Sequence, residues 1–130
     1  GAAAIELPLL GNVAAGLPIE AVADTETLAV PPDMVRRNRE NYVLRVQGNS
    51  MIDESIRDGD YIVVSAQDTA DDGQMVVALV RGDSATVKKL YRERGGRIRL
   101  QPANPTMEPI VEDARDVQIQ GVVVGVSRKY

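Results

Sequence analysis

Four residue types are missing from this chain of 130 residues: cysteine, histidine, tryptophan and phenylalanine. Without histidine, a Ser-His-Asp triad, a histidine general base and a histidine-bound zinc are all excluded. Without cysteine, thiol nucleophiles and thiolate metal sites are excluded too, while the redox compartment stays open. A hydrolase built from these residues must take its base from a carboxylate, a lysine or an activated water. Lysine is itself scarce, with only Lys88, Lys89 and Lys129 among fifteen basic residues. Four tyrosines are the sole aromatics, so the core must be made of Val, Ile, Leu and Ala, with Val dominant. Val favours strands.

A strongly basic balance is also lacking. The formal net charge is −4, and the arginines are scattered among Asp and Glu, which argues against a nucleic-acid surface on this stretch. No apolar run approaches a membrane span and no secretory leader is visible, so a cytoplasmic setting is expected. The size fits one domain with one core.

What is present reads as β-structure. Gly1–Ala4 lacks a starting Met, and residues 1–6 are read as a fragment start, scar or linker, with the domain proper over 7–130. Leu7–Ala15 is extended or loop-like, because Pro18 biases Leu17 away from the helical region. Pro31-Pro32-Asp33 opens a short helical turn. Strands are predicted at Tyr42–Val46, Tyr61–Val64, Gln74–Val80, Ala85–Arg92, Arg97–Gln101 and Val117–Val126, with one helical turn at Met51–Ile56. Pro102, Pro105 and Pro109 punctuate a long loop. Val117–Val126 is apolar on both faces around Val122–Val126, which predicts burial between layers or in a subunit contact. The fold class is mainly β: antiparallel, partly closed, with short helical turns.

Three features carry chemistry. Gly48-Asn49-Ser50-Met51 puts a serine just after a strand at a glycine-bearing bend, able to expose a hydroxyl and aim backbone N–H groups at one point. The plain alternative is a loop serine capping the next turn. Thr86-Val87-Lys88-Lys89-Leu90 puts two lysines on opposite faces of a strand, so one can be buried and act as a base. Alternation does not choose between them. Ala14-Ala15-Gly16 suits a narrow cleft, and equally suits a flexible linker.

In order and spacing, these stretches resemble the C-terminal domain of LexA-type repressors, which belong with phage repressors and UmuD-like proteins among the Ser-Lys self-cleaving proteases. The likeness runs from Leu7-Pro8-Leu9-Leu10-Gly11-Asn12-Val13-Ala14-Ala15-Gly16 through Leu44–Met51, Asp58-Gly59-Asp60, Gly73–Ala78, Thr86–Leu90 and Leu100–Asn104 to Gly121–Val126. It implies a fold of the LexA and signal-peptidase type. It implies that Ser50 is the nucleophile, Lys88 its base, Ala15–Gly16 the scissile bond, and the backbone of Ser50 and Met51 the oxyanion region. It also implies a homodimer formed through the last strand (Val117, Ile119, Val122, Val123, Val124, Val126) and a RecA–single-stranded DNA filament as co-protease. Operator DNA is bound in that family by an N-terminal winged-helix domain, which nothing in these residues resembles. No metal, cofactor or membrane partner is expected, since Asp58-Gly59-Asp60 and Asp71-Asp72-Gly73 read as turns.

Other readings share parts of this pattern. A phage repressor or UmuD-like polymerase accessory would carry the same dyad, a signal-peptidase-like enzyme would act in trans from a membrane anchor, and a β-barrel interaction module would use neither side chain.

Overall fold

The computed structural model describes residues 3–14, 17–82 and 84–128. Among the described residues, nine strands make one mixed sheet: β1 (Ile5–Ala14), β2 (Leu17–Val30), β3 (Asn41–Gln47), β4 (Tyr61–Ala66), β5 (Met75–Val80), β6 (Ser84–Glu93), β7 (Arg97–Gln101), β8 (Ile110–Asp113) and β9 (Val117–Ser127). Their order across the sheet is β2-β1-β3-β4-β9-β5-β6-β7-β8. Every neighbouring pair is antiparallel except β1–β3. A single further pair, Leu17 with Ala85, brings β2 against β6. The sheet thus curls back on itself without becoming a barrel, and one-turn 3-10 segments at Pro32–Met34, Ile52–Glu54 and Ala114–Asp116 join strands.

Valine builds the interior, as the lack of large aromatics requires. In β4, Ile62, Val63 and Val64 are all buried, so this strand faces apolar neighbours on both sides. Ile62 and Val64 join Val13, Leu44, Val46, Met51, Ile56, Val77, Ala85 and Val87 in one cluster. Val63 turns to another with Leu7, Leu28, Val30 and Val43. A third cluster, around Val76, Ala78, Val80, Leu90 and Leu100, fills the space under β5–β7. Each such side chain contributes on the order of 1.5–3 kcal/mol by leaving water.

β9 lies in the middle of the sheet, paired along one edge with β4 and along the other with β5. Both pairings slip register once, and Gly121 sits where the approach is closest. A Cβ there would lie 2.4 Å from Val64 Cγ1 and 2.6 Å from the Ser65 carbonyl oxygen. Only glycine fits without a shift of backbone.

Two strands escape the sequence pattern. β2 occupies residues 17–30, where register shifts between Leu9 and Gly11 and between Asn12 and Ala14 break simple alternation. What makes it a strand is its partner: Leu7 lies opposite Leu28, both buried, and Ile5 opposite Val30. β8 lies in the proline-punctuated stretch read as loop. It has four residues and, among the described residues, pairs only with β7, and edge strands of that length carry little periodic signal.

Candidate active site

The serine segment is held from three sides. β3 ends at Gln47, and Gly48 takes φ +88°, a left-handed conformation that turns the chain out of the strand and that side-chain-bearing residues rarely adopt. Its N–H donates to Asp58 Oδ1 at 2.8 Å. Beyond the bend, Met51 and Ile56 are each 1% exposed and anchor the intervening 3-10 turn to the core. Ser50 itself is 7% exposed. From the third side comes the loop after β7. The Ala103 N–H donates to the Ser50 carbonyl at 2.8 Å, the Asp53 N–H to the Ala103 carbonyl at 2.8 Å, and Asn104 Nδ2 to the Asn49 carbonyl at 2.8 Å. Among the described residues, no acceptor takes the N–H of Ser50 or of Met51.

Lys88 sits inside β6, opposite Val76 of β5, and is 2% exposed. Its Nζ donates to Thr86 Oγ1 at 2.6 Å. Thr86, two residues earlier on the same strand face, is buried as well. Among the described residues no carboxylate pairs with Lys88, and burial pushes its ammonium down from 10.5 to about 8. Lys89 points the other way and forms an ion pair with Glu54 on the 3-10 turn after Ser50. The hydrogen bond to Glu54 holds the Lys89 ammonium above its ordinary value.

Strand and turn therefore meet twice. Met51 shares a core cluster with Ala85 and Val87 of β6, on the strand face that Lys89 also leaves from, and Glu54 grips Lys89. The hairpin of β1 and β2 reaches the same place. Ala14 pairs with Leu17 across the hairpin, Ala14 also with Gln47 of β3, and Leu17 with Ala85 of β6. Ala15 and Gly16 themselves lie outside the described residues. Ser50 and Lys88 are not hydrogen-bonded to each other in this conformation: the lysine is turned to Thr86. Thr86 and Asn104 both lie in stretches that carry the family likeness, yet sequence alone gives neither a role. For Thr86 the signal is its place on the same strand face as Lys88. For Asn104 no spacing rule links residue 104 to residue 49.

The acidic turn after this segment is structural. Asp60 is 2% exposed and accepts from Arg128 Nε and Nη2, each at 2.8 Å, and from the Arg57 N–H at 2.8 Å. Arg128 is the chief reason its carboxyl lies below the usual range. Arg128 also donates to the Ser55 carbonyl, tying the end of β9 to the same turn. The remaining residues singled out in the last strand are placed on β9 itself. Val122 is 6% exposed, and Val117, Ile119, Val123, Val124 and Val126 are half-buried. β5 pairs with Val117–Val122 along one edge of β9, and β4 pairs with Gly121–Ser127 along the other. Among the described residues, no helix is long and apolar enough to cross a membrane.

Known proteins share this sequence over nearly its whole length. The family model described as peptidase S24-like matches residues 8–124. The LexA repressor of Syntrophotalea carbinolica is 55% identical over 127 residues, covering 97% of this chain and 61% of the relative. That of Syntrophobacter fumaroxidans is 51% identical over 127 residues, covering 98% and 60%. That of Clostridioides difficile is 48% identical over 124 residues, covering 95% and 58%. The chain thus spans about three fifths of the length of the curated relatives it matches.

Proposed function

The chain belongs to the peptidase S24-like family, and from that premise we propose that it is the self-cleaving C-terminal domain of a LexA-type repressor, cutting its own Ala15–Gly16 bond with Ser50 and Lys88. The observation that carries this reading is where the flanks of that bond are pinned. Ala14 is paired to Gln47, three residues before Ser50, and Leu17 to Ala85, three residues before Lys88. Those two anchors tie the ends of the proposed cleavage segment to the strand that leads into Ser50 and to the strand that carries Lys88.

The chemistry follows from the surroundings. A lysine can act as a base only when neutral, and burial without a carboxylate partner makes Lys88 neutral at a pH where an exposed lysine is not. Released from Thr86, neutral Nζ takes the proton of Ser50 Oγ as that oxygen attacks the Ala15 carbonyl carbon. The N–H groups of Ser50 and Met51 stabilise the oxyanion. The Nζ proton then passes to the departing Gly16 nitrogen, leaving an ester between Ala15 and Ser50 that water hydrolyses. Joining substrate and nucleophile in one chain supplies a high effective concentration and removes any need for tight substrate binding. Covering Lys88 with the cleavage segment disfavours its charged form, so docking and deprotonation are linked.

In this reading the domain lies in the bacterial cytoplasm and pairs with a second copy through the last strand, at Val117, Ile119, Val122, Val123, Val124 and Val126. A RecA filament on single-stranded DNA favours the docked state, operator DNA is held by a domain outside this chain, and cleavage derepresses DNA-damage-response genes. No cofactor takes part. The decisive experiment is incubation of the purified chain at rising pH, followed by mass spectrometry under denaturing conditions. Fragments 1–15 and 16–130 are expected, accumulating faster as pH rises and absent from Ser50→Ala and Lys88→Ala. A folded chain that stays intact at every alkaline pH would remove the reading.

A further inference from the structure

The loop after β7 has no place in the chemistry above, yet it holds two successive backbone carbonyls of the serine segment, those of Asn49 and Ser50. In a planar trans peptide the N–H points opposite to the C=O of the same unit. The Asn49 carbonyl shares its plane with the Ser50 N–H, and the Ser50 carbonyl shares its plane with the Met51 N–H. Asn104 Nδ2 holds the first carbonyl at 2.8 Å, closer than the Ile52 N–H that also reaches it at 3.3 Å, and the Ala103 N–H holds the second at 2.8 Å. Fixing both oxygens on one side fixes the direction of both N–H groups on the other.

The Asn104 side chain is oriented for this task. Thr106 donates to Asn104 Oδ1 twice, from its N–H at 2.9 Å and from Oγ1 at 2.6 Å. A backbone N–H can only donate, so Oδ1 must face Thr106 and Nδ2 must face Asn49. The Asp53 N–H closes the frame by donating to the Ala103 carbonyl. We propose that Asn104 is a positioning residue for self-cleavage, aiming the Ser50 and Met51 N–H groups at the developing oxyanion through the carbonyl of Asn49. This rests on the reading of Ser50 as the nucleophile. Asn104 touches no reacting atom.

The test separates aim from fold and from base strength. Self-cleavage is followed against pH in the unaltered chain, in Asn104→Ala, and in Asn104→Asp, which keeps an acceptor for Thr106 but offers no donor to Asn49. Losing one oxyanion donor costs on the order of 10²–10³ in rate, so misaiming the donors is expected to lower the high-pH plateau by about 10-fold to 100-fold in both variants. The midpoint of the Asn104→Ala profile is expected to stay where the unaltered chain has it, because Lys88 is untouched. A plateau within about twofold in folded Asn104→Ala overturns the proposal, as does a plateau loss that only tracks the unfolded fraction. A second arm needs no cleavage: in a Lys88→Ala background, adding Asn104→Ala is expected to shift or broaden the amide resonances of Ser50 and Met51. Amides that do not move overturn the proposal even if the unaltered chain fails to cleave. Failure of the unaltered chain to cleave counts against Ser50 as nucleophile and leaves that amide measurement to decide the role of Asn104.

Discussion

Lys88 and Lys89 are neighbours in sequence and opposites in surroundings. Lys88 is 2% exposed, faces Thr86 and has no carboxylate partner among the described residues, so burial makes its proton easier to lose. Lys89, one residue on, is half-exposed and joined to Glu54, so its proton is harder to lose. Both are the same side chain on the same strand. Basicity here is set by which face of β6 the Cβ leaves from, and by what β5 and the serine turn put on each face.

The sharpest way to break this contrast is to remove the amines one at a time. Lys88→Met is expected to slow self-cleavage by about 10³-fold or more, the usual scale for losing a member of a catalytic unit, whereas Lys89→Met changes it by less than about threefold. Timed gels at pH 9 measure both. Equal losses would mean that the ion pair with Glu54, and with it the placement of the serine turn, matters as much as the base.

The pH profile sharpens the contrast next. With Lys88 as the base proposed above, only its neutral form would act, so the rate is expected to rise about tenfold per pH unit below a midpoint near the pKa of about 8 and to level off above it. A midpoint near 10.5 would mean that the base is a solvated amine.

Stability offers a smaller and independent reading. The Lys88 pKa is lower in the folded chain than the 10.5 of an open lysine, so the unfolded chain binds more protons between about 8 and 10.5. Stability is therefore expected to rise with pH across that window, and the penalty is fully present below it. Lys88→Met, which removes the buried charge and leaves Thr86 without its partner, is expected to gain about 1–3 kcal/mol at pH 7 in urea denaturation and to lose the pH dependence. Lys89→Met removes a partly solvated pair and is expected to cost less than about 1 kcal/mol.

Much of the fold was legible in the sequence, for identifiable reasons. β4, β5 and β9 carry Val-rich runs, β3, β6 and β7 carry shorter apolar or alternating stretches between turn residues, and the structure puts strands at all of them. β2 was illegible because its strand character comes from β1 through an irregular register. β8 is short and hangs on one neighbour. At the site, the order of motifs singled out Ser50 and Lys88, and burial then accounts for why one lysine differs from the other. Thr86 stands two residues before Lys88, a spacing that puts both on one strand face, whereas Asn104 acquires its part only in three dimensions, since an amide reaching across 55 residues leaves no periodic trace.

The position of β1 governs the fate of the two pieces that a cut would make. This strand is an interior member of the sheet, laddered to β2 on one side and to β3 on the other. Scission after Ala15 would free its end without loosening either ladder, and Leu7 and Val13 would still be buried beneath it. Cutting the chain and parting the pieces are then two separate events with separate clocks. The fragments are expected to migrate together in gel filtration under native conditions and to come apart only when the sheet is opened.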